Sequence, residues 1–103
     1  MNMMKMMKQA QDLQKNMKKK QDELAKVEVQ FTSGGGMVTI TATCDMKVRS
    51  IKINPDAVDP DDVEMLEDLV LAAVDGCLNT AQETMSKEMG KLTGGMNIPG
   101  MGM

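Results

Sequence analysis

The chain contains one aromatic residue, Phe31, among 103 residues, and this limits how it can build a core. A monomer of this length gains little stability from its core unless disulfides, metals or large aromatic side chains contribute. Histidine is absent, and two cysteines do not make a disulfide framework. Fourteen methionines supply soft, adaptable apolar volume instead. Burial against a second copy of the chain is one way to complete such a core.

The same composition argues against several classes of function. Without histidine, the chain has no Ser-His-Asp triad, no Cys-His pair and no His-ligated zinc site. Without Trp or Tyr, aromatic platforms that stack single-stranded bases are nearly excluded. No nucleophile-base pair is recognisable. We therefore expect no catalytic residue, enzyme activity, metal, cofactor or small-molecule substrate. No apolar run of about 18 residues and no secretory signal is visible, which predicts a cytoplasmic protein outside the membrane.

Charge is divided between the two ends of the sequence. Residues 1–26 contain seven lysines and three acidic residues, a net charge of +4. Residues 27–53 carry +1, and residues 54–92 carry ten acidic residues and two lysines, a net charge of −8. The overall charge of −3 argues against nucleic-acid binding. The separation of positive charge from negative charge along the sequence partly restores that expectation.

Residues 3–27 predict a long helix, because they lack Gly and Pro and are dominated by good helix formers. Apolar residues recur at heptad a and d positions with one gap, at Lys20. These residues are Met3, Met6, Ala10, Leu13, Met17, Leu24 and Val27. A helix with so narrow an apolar seam needs a partner along its length. Lys20 either marks a splay or sets the register of paired helices, or the register fails there and its side chain snorkels outward.

Three segments alternate between apolar and polar residues, which predicts a three-stranded antiparallel meander with one polar face. They are residues 27–33, 37–43 and 47–53. The Ser33–Gly36 turn is interpreted as a hairpin and not as a phosphate-binding loop, because a strand follows it where such a loop needs a helix. Val48 is out of phase with Ile51 and Ile53, which predicts a β-bulge near Arg49–Ser50.

A second helix is predicted from about residue 60 to residue 90. Asp59 fits its N-cap and Pro60 its first helical position, with further acidic residues in the first turn. The acidic residues between 56 and 68 lack the spacing of a calcium loop, so we interpret them as helix capping and solubility. Gly76 inside the helix either costs about 1 kcal/mol relative to Ala or permits close approach of another element.

The segments predict one domain at residues 1–92. Residues 93–103 carry turn formers without periodicity, which predicts a flexible Gly/Met-rich tail. Cys77 lies among the apolar positions of the second helix and is expected in the core. Cys44 follows the second strand in a turn, so we expect an exposed thiol there.

The order αβββα is accompanied by several short motifs along almost the whole chain. They are Met7–Gln11, Leu24–Ala25, Ser33–Gly36, Ile51–Pro55, Glu64–Val70, Ala72–Val74 and Gly94–Gly95. In this order and spacing, the chain resembles the YbaB/EbfC family of bacterial nucleoid-associated proteins. It departs from the family pattern at Asn54, where an acidic residue usually precedes the proline. Cys44, Cys77 and the methionine-rich start are also unusual.

The resemblance implies an α+β homodimer with projecting, tweezer-like helices that binds duplex DNA, associates with the nucleoid and has no enzymatic activity. No DNA-contact motif can be transferred residue by residue, so the candidate contacts rest on charge placement. The predicted DNA-binding residues are Lys5, Lys8, Lys15, Lys18, Lys19, Lys26, Lys87 and Lys91. Lysine is a point-charge donor, so contacts mainly to backbone phosphates, with little base selectivity, are expected. Roles in nucleoid organisation and gene regulation follow from the resemblance.

The homodimer is expected to form through the sheet and the second helix. The predicted interface residues are Phe31, Val38, Ile40, Leu66, Leu69, Val70, Ala73, Val74 and Cys77. A competing interpretation remains open, because the outer face of a paired helix is normally charged and solvated. The chain is then an adaptor whose amphipathic helices dock on another protein. The overall charge of −3 and the absence of Arg from the first helix favour this alternative.

Overall fold

A computed structural model describes residues 2–92 and confirms the predicted α+β fold with the order αβββα. Its elements are α1 (Met3–Leu24), β1 (Glu28–Ser33), β2 (Val38–Thr43), β3 (Lys47–Ile53), a short 3-10 helix (Pro55–Ala57) and α2 (Val63–Leu92). The predicted tail, residues 93–103, lies outside the described residues. Within them, no helix is both long and apolar enough to cross a membrane.

Helix α1 begins where predicted and ends three residues earlier, at Leu24. The side chain of Asn2 caps its start by accepting hydrogen bonds from the Met4 and Lys5 amides, at 3.1 and 3.4 Å. At the other end the Val27 carbonyl accepts a hydrogen bond from the Cys44 amide, at 3.0 Å. Because this bond belongs to the sheet, the backbone has already left the helix when it reaches Val27.

The start of α2 differs from the prediction. Asp59 does not cap the helix, because its carboxylate accepts from the Asp61 amide and its carbonyl from the Asp62 amide, at 2.9 and 3.0 Å. These bonds close a separate turn that contains Pro60. Asp62 accepts from the Met65 amide at 3.2 Å instead, and α2 begins at the next residue. An aspartate that closes a local turn competes with helix capping, which explains the shift.

The sheet is antiparallel with the strand order β1-β2-β3, and its two faces differ in character. Phe31, Ile40 and Ile51 are directly paired across the strands, so one face is apolar. The opposite face carries threonines and charged residues. The register shifts after the pair formed by Thr41 and Ser50, which leaves Arg49 as an extra residue. The predicted bulge is confirmed.

Helix α2 packs on the apolar face of β1 and β2 and forms the core of the chain. The core consists of Val38, Ile40, Ala42, Ala73 and Cys77, none of which has exposed surface. The prediction for Cys77 is confirmed. Four of the predicted dimer-interface residues, namely Val38, Ile40, Ala73 and Cys77, therefore have no surface to offer a second copy. They are corrected to core residues of a single chain.

The middle of α2 is held close to β1 by the ring of Phe31. A Cβ placed on Gly76 would lie 2.3 Å from a carbon of this ring, which is far inside van der Waals contact. Of the two interpretations of Gly76, close approach is confirmed. Ser33 adds a second connection, since its hydroxyl donates to the Leu69 carbonyl at 2.6 Å.

Cys44 is buried and not exposed as predicted. The Cys44 amide donates to the Val27 carbonyl, so the backbone pairing of β2 continues for one more residue. The Cys44 side chain therefore stays buried. Burial raises the pKa of its thiol, and the negative charges of Asp45 and Glu88 raise it further. Burial also raises the pKa of the Cys77 thiol, which lies 3.5 Å from the Ile40 carbonyl oxygen.

The contact between Phe31 and Gly76 generates a stability prediction. We expect Gly76→Ala to lower the free energy of unfolding by about 1–3 kcal/mol, because the added methyl group displaces the ring. Gly90→Ala is the matched control in the same helix, since a Cβ there meets no atom of the described residues within 4 Å. It should raise stability by about 0.5–1 kcal/mol through helix propensity.

Urea unfolding of both variants at one fixed chain concentration checks this prediction. Equal stabilities of the two variants would contradict the close packing of Phe31 on α2.

Candidate nucleic-acid interface

Helix α1 lies antiparallel to the C-terminal half of α2 and forms with it an arm beyond the sheet. Lys20 Nζ lies 3.6 Å from Glu88 Oε2, while Cys77 Sγ lies 3.6 Å from the Val29 carbonyl, so the two chain directions are opposed. We call residues 2–27 and 79–92 the arm, and residues 28–78 the body. The chain measures 71 × 25 × 16 Å, so the molecule is elongated.

The second half of the predicted seam of α1 finds a partner in α2 of the same chain. Leu13, Met17 and Lys20 are half-buried, and Leu24 is buried. Lys20 therefore stays in register and faces α2. Neither splaying nor outward snorkelling describes it, because its ammonium group pairs with the Glu88 carboxylate.

Glu88 joins both helices of the arm electrostatically. Its carboxylate lies 3.3 Å from Lys91 Nζ, in addition to the contact with Lys20. The hydrogen bond from Lys91 is the main cause that lowers the pKa of Glu88, and the charges of Lys91 and Lys20 lower it further. The carboxylate consequently neutralises part of the positive charge at the end of α2.

Charge is separated along the molecule between the arm and the body. The α1 part of the arm, residues 2–27, has seven lysines and three acidic residues, a net charge of +4. The α2 part, residues 79–92, has two of each and is neutral. The body has three basic and ten acidic residues, a net charge of −7. A negatively charged polymer is therefore attracted to α1 and repelled by the body.

The outward face of α1, which points away from the seam, brings several predicted lysines together. Residues Lys8, Gln11, Lys15 and Lys18 recur every three or four positions and thus share one side of the helix. Around its centre the helix surface forms a shallow depression lined by Gln11, Asp12, Gln14, Lys15, Lys18, Lys19 and Asp22. We call Lys8, Lys15, Lys18 and Lys19 the lysine stripe; all four are exposed.

The other four predicted lysines are also exposed. Lys5 lies three residues before Lys8 and continues the outward face toward the start of α1, whereas Lys26 follows the end of the helix. Lys87 and Lys91 belong to α2, where Lys91 is already paired with Glu88. Of the eight predicted contacts, the structure thus groups five on one face, four of them in the stripe.

A second basic surface, on the polar face of the sheet, was missed by the sequence prediction. Lys47 and Lys52 lie there on β3, with Arg49 at the bulge. Arg49 is engaged locally, since it donates to the Thr43 hydroxyl at 3.0 Å and to the Asp45 carboxylate at 3.4 Å. A hydrogen bond from Thr43, followed by the charge of Arg49, lowers the pKa of Asp45. The predicted β-bulge at Arg49 was the sequence signal that could have revealed this second basic surface.

An apolar strip runs along the uncovered edge of the body. Helix α2 covers β1 and β2 but leaves the apolar side chains of β3 more than one-third exposed. A groove between β3 and α2 continues this surface. The strip consists of Val48, Ile51, Ile53, Leu66, Val70, Leu71 and Val74. Leu66, Val70 and Val74 were predicted interface residues, whereas the β3 residues and Leu71 were missed.

The described residues contain no group of three or more Cys, Asp or Glu side chains arranged to hold a metal ion.

A model of the YbaB/EbfC DNA-binding family matches residues 1–96. The chain belongs to this family. The resemblance found in the motifs is thereby confirmed, and membership of a DNA-binding family agrees with a protein that is not an enzyme.

Curated relatives in the YbaB/EbfC family share about half of their residues with this chain. A nucleoid-associated protein of Alkaliphilus metalliredigens is 53% identical over 100 residues, which are 97% of this chain and 88% of the relative. One of Desulforamulus reducens is 55% identical over 100 residues, covering 97% and 95% of the two chains. A crystal structure of an uncharacterized protein from Helicobacter pylori has the same fold, with a TM-score of 0.74 at 15% identity, covering 84% of this chain and 91% of that chain.

The contacts of Glu88 generate a titration prediction for this family member. Because its folded pKa is lowered, Glu88 stabilises the arm above the ordinary carboxyl pKa of about 4.3, and this stabilisation disappears as the pH falls through the lower folded value. We expect Glu88→Gln to be less stable than the wild type at pH 7 and equally stable at about pH 2.

NMR titration of the Glu88 side chain should show a pKa below the ordinary glutamate value of about 4.3. An ordinary pKa for Glu88 would contradict its pairing with Lys20 and Lys91.

Proposed function

We propose that this chain is a nucleoid-associated protein that binds duplex DNA through the lysine stripe of α1. The observation that carries the proposal is the concentration of exposed lysines on the outward face of a projecting helix, next to a body of charge −7. The family match and the names of the relatives support it. The location that follows is the nucleoid, within the cytoplasm.

The lysine stripe suits the phosphate backbone better than the base edges. A lysine ammonium group lacks the planar, bidentate donor geometry of arginine and interacts with a phosphate as a point charge. Helix α1 has 22 residues and is about 33 Å long, close to one turn of B-DNA at about 34 Å. Binding through this face is therefore tolerant of sequence and steeply dependent on salt.

The proposal includes a homodimer joined through the apolar strip. Exposed apolar side chains on an edge strand and an adjoining groove form the kind of continuous patch that marks an interaction surface. A second copy supplies the matching surface under two-fold symmetry. The interface is thereby moved from the core residues to Ile51, Ile53, Leu71 and their neighbours, with Leu66, Val70 and Val74 retained. Leu69 and Phe31 remain partly exposed and stay predictions.

A dimer presents two arms and thus doubles the positive surface offered to DNA. Two arms projecting from one body give the tweezer-like arrangement that the family resemblance implies. Contacts at two places on a duplex organise the nucleoid and act on gene expression by occupying DNA. These roles rest on the DNA binding proposed above.

The adaptor function is the second candidate, and the apolar strip is the observation that favours it. The strip is equally suited in chemistry to an unrelated protein with an apolar face. In that case the lysine stripe is only a solvated surface, and DNA affinity is weak even at low salt.

Exchanging two lysines of the stripe tests the DNA proposal. We expect Lys15→Glu with Lys18→Glu to weaken binding to a labelled duplex of about 30 base pairs by more than about tenfold, because phosphate contacts are lost. The slope of log affinity against log salt should fall by about one unit for each lost contact. Lys47→Glu with Lys52→Glu is the control, since it changes the net charge equally but lies on the body.

Fluorescence anisotropy over a salt series measures both quantities. Equal losses in the two variants would show a general charge effect and contradict the assignment to the stripe. No binding by the wild type at low salt would favour the adaptor.

Charges placed in the apolar strip test the dimer. We expect Ile51→Glu and Leu71→Glu each to shift the wild-type dimer toward the monomer, because a carboxylate would be buried without a partner. Val58→Glu is the control, since Val58 is exposed and lies outside the strip. Sedimentation equilibrium measures the mass, and circular dichroism checks that each variant is folded. A dimer that survives both strip variants would overturn this interface.

A further inference from the structure

The first turns of α1 expose four methionines. The exposed fractions of Met3, Met4, Met6 and Met7 are 75%, 81%, 53% and 60%. Exposed apolar side chains at this density are costly in water unless they serve a contact. No residue between 2 and 12 is buried or half-buried, so within the described part of the chain this stretch projects past the packed portion of the arm.

The four methionines spread from the seam to the outward face of the helix. Met3 and Met6 continue the seam, which repeats through Ala10, Leu13 and Met17 at alternating steps of three and four residues. Met4 begins the series that continues through Lys8, Gln11, Lys15 and Lys18 at the same steps. Met7 lies four residues after Met3 and three after Met4, on the flank of the helix between the seam and the outward face. Met4 thus extends the lysine stripe, and Met7 adds an apolar side chain beside it.

The surroundings of this pair indicate the chemistry of its partner. No acidic residue occurs between positions 2 and 11, while Lys5 and Lys8 flank the methionines. Such a surface complements a partner that is negatively charged and has apolar edges within reach. A duplex groove has this character, because phosphates form its rims and sugars, base edges and thymine methyl groups form its walls.

We propose that Met4 and Met7 enter a groove of the bound duplex while the lysine stripe holds the phosphates. Thioether side chains are unbranched and polarizable, so they adapt to an irregular apolar wall. Methionine is among the side chains that wedge between base steps in minor-groove complexes. Met4 lies about 6 Å along the helix axis from Lys8 and about 16 Å from Lys15. The same helix can therefore contact the phosphates and the groove of one duplex at the same time. This inference rests on the proposed DNA binding.

Two double variants separate Met4 and Met7 from the seam pair. Met4→Gln with Met7→Gln removes the proposed contact, and Met3→Gln with Met6→Gln is the control with the same spacing and similar exposure. Glutamine is unbranched, uncharged and almost as good a helix former as methionine. We expect the Met4/Met7 variant to bind a 30-base-pair duplex at least about fivefold more weakly and the control to change less than about twofold.

The salt dependence distinguishes this inference from the proposed function. The slope of log affinity against log salt should be unchanged in the Met4/Met7 variant, since no phosphate contact is removed. A duplex affinity equal to that of the wild type, or an equal loss in both variants, would overturn the groove contact while leaving the lysine stripe untouched. A wild type that binds no duplex would overturn both.

Methionine oxidation supplies a second measurement at the level of single residues. Hydrogen peroxide transfers one oxygen atom to the thioether sulfur, which becomes a sulfoxide, and leaves as water. Saturating duplex should slow the oxidation of Met4 and Met7, mapped by mass spectrometry, more than that of Met3 and Met6. Equal protection of all four would overturn the proposal.

An anionic membrane surface is the other partner of similar chemistry, and the same variants test it. Vesicles of phosphatidylglycerol should not sediment the wild-type protein at a salt concentration that permits duplex binding. Sedimentation with vesicles that is lost in the Met4/Met7 variant, together with unchanged duplex affinity, would overturn the groove contact in favour of a membrane.

Discussion

The ring of Phe31 lies directly on Gly76 in the middle of α2, and this contact determines how the helix sits on the sheet. The ring occupies the space that any larger side chain at position 76 would need. The hydroxyl of Ser33, bonded to the Leu69 carbonyl, holds the preceding part of α2 over β1 and β2. Because one helix covers two strands, the apolar side chains of β3 remain exposed. Because α2 is much longer than the strands along which it lies, its end extends past the sheet and packs against α1.

This placement separates the charges that give the molecule its polarity. The acidic turn before α2 and the first half of that helix stay with the body, and the lysines stay on α1. Glu88 links the two helices of the arm through Lys20, so the helix that carries the lysine stripe is held by its opposite side. The lysines of the stripe lie on the other, exposed side of α1. An elongated molecule with a negative body and a positive arm orients a polyanion toward the arm before any contact forms.

Much of the fold followed from local patterns, and the errors occurred where a distant contact decided the outcome. Alternation gave the three strands and the bulge at Arg49, since the period of two is a property of the strand itself. Asp59 and Pro60 match the residue pattern of a helix start, but the Asp59 carboxylate accepts a hydrogen bond from the Asp61 amide in a local turn and so does not cap the helix. Cys44 was expected in solvent, yet backbone pairing with Val27 keeps it inside. For the site, charge counting found the lysines but not which of them share a face, and it left the uncovered edge at Ile51 unseen.

In the proposed complex, DNA contacts the arm and not the body. An NMR titration of the isotope-labelled protein with a 30-base-pair duplex, at a salt concentration that keeps exchange fast, maps the contact surface. We expect the largest amide shift changes in the first five turns of α1, around Lys8, Lys15 and Lys18, with small changes in the sheet. The largest changes around Lys47, Arg49 and Lys52 would instead place the duplex on the polar face of the sheet and refute binding through the arm.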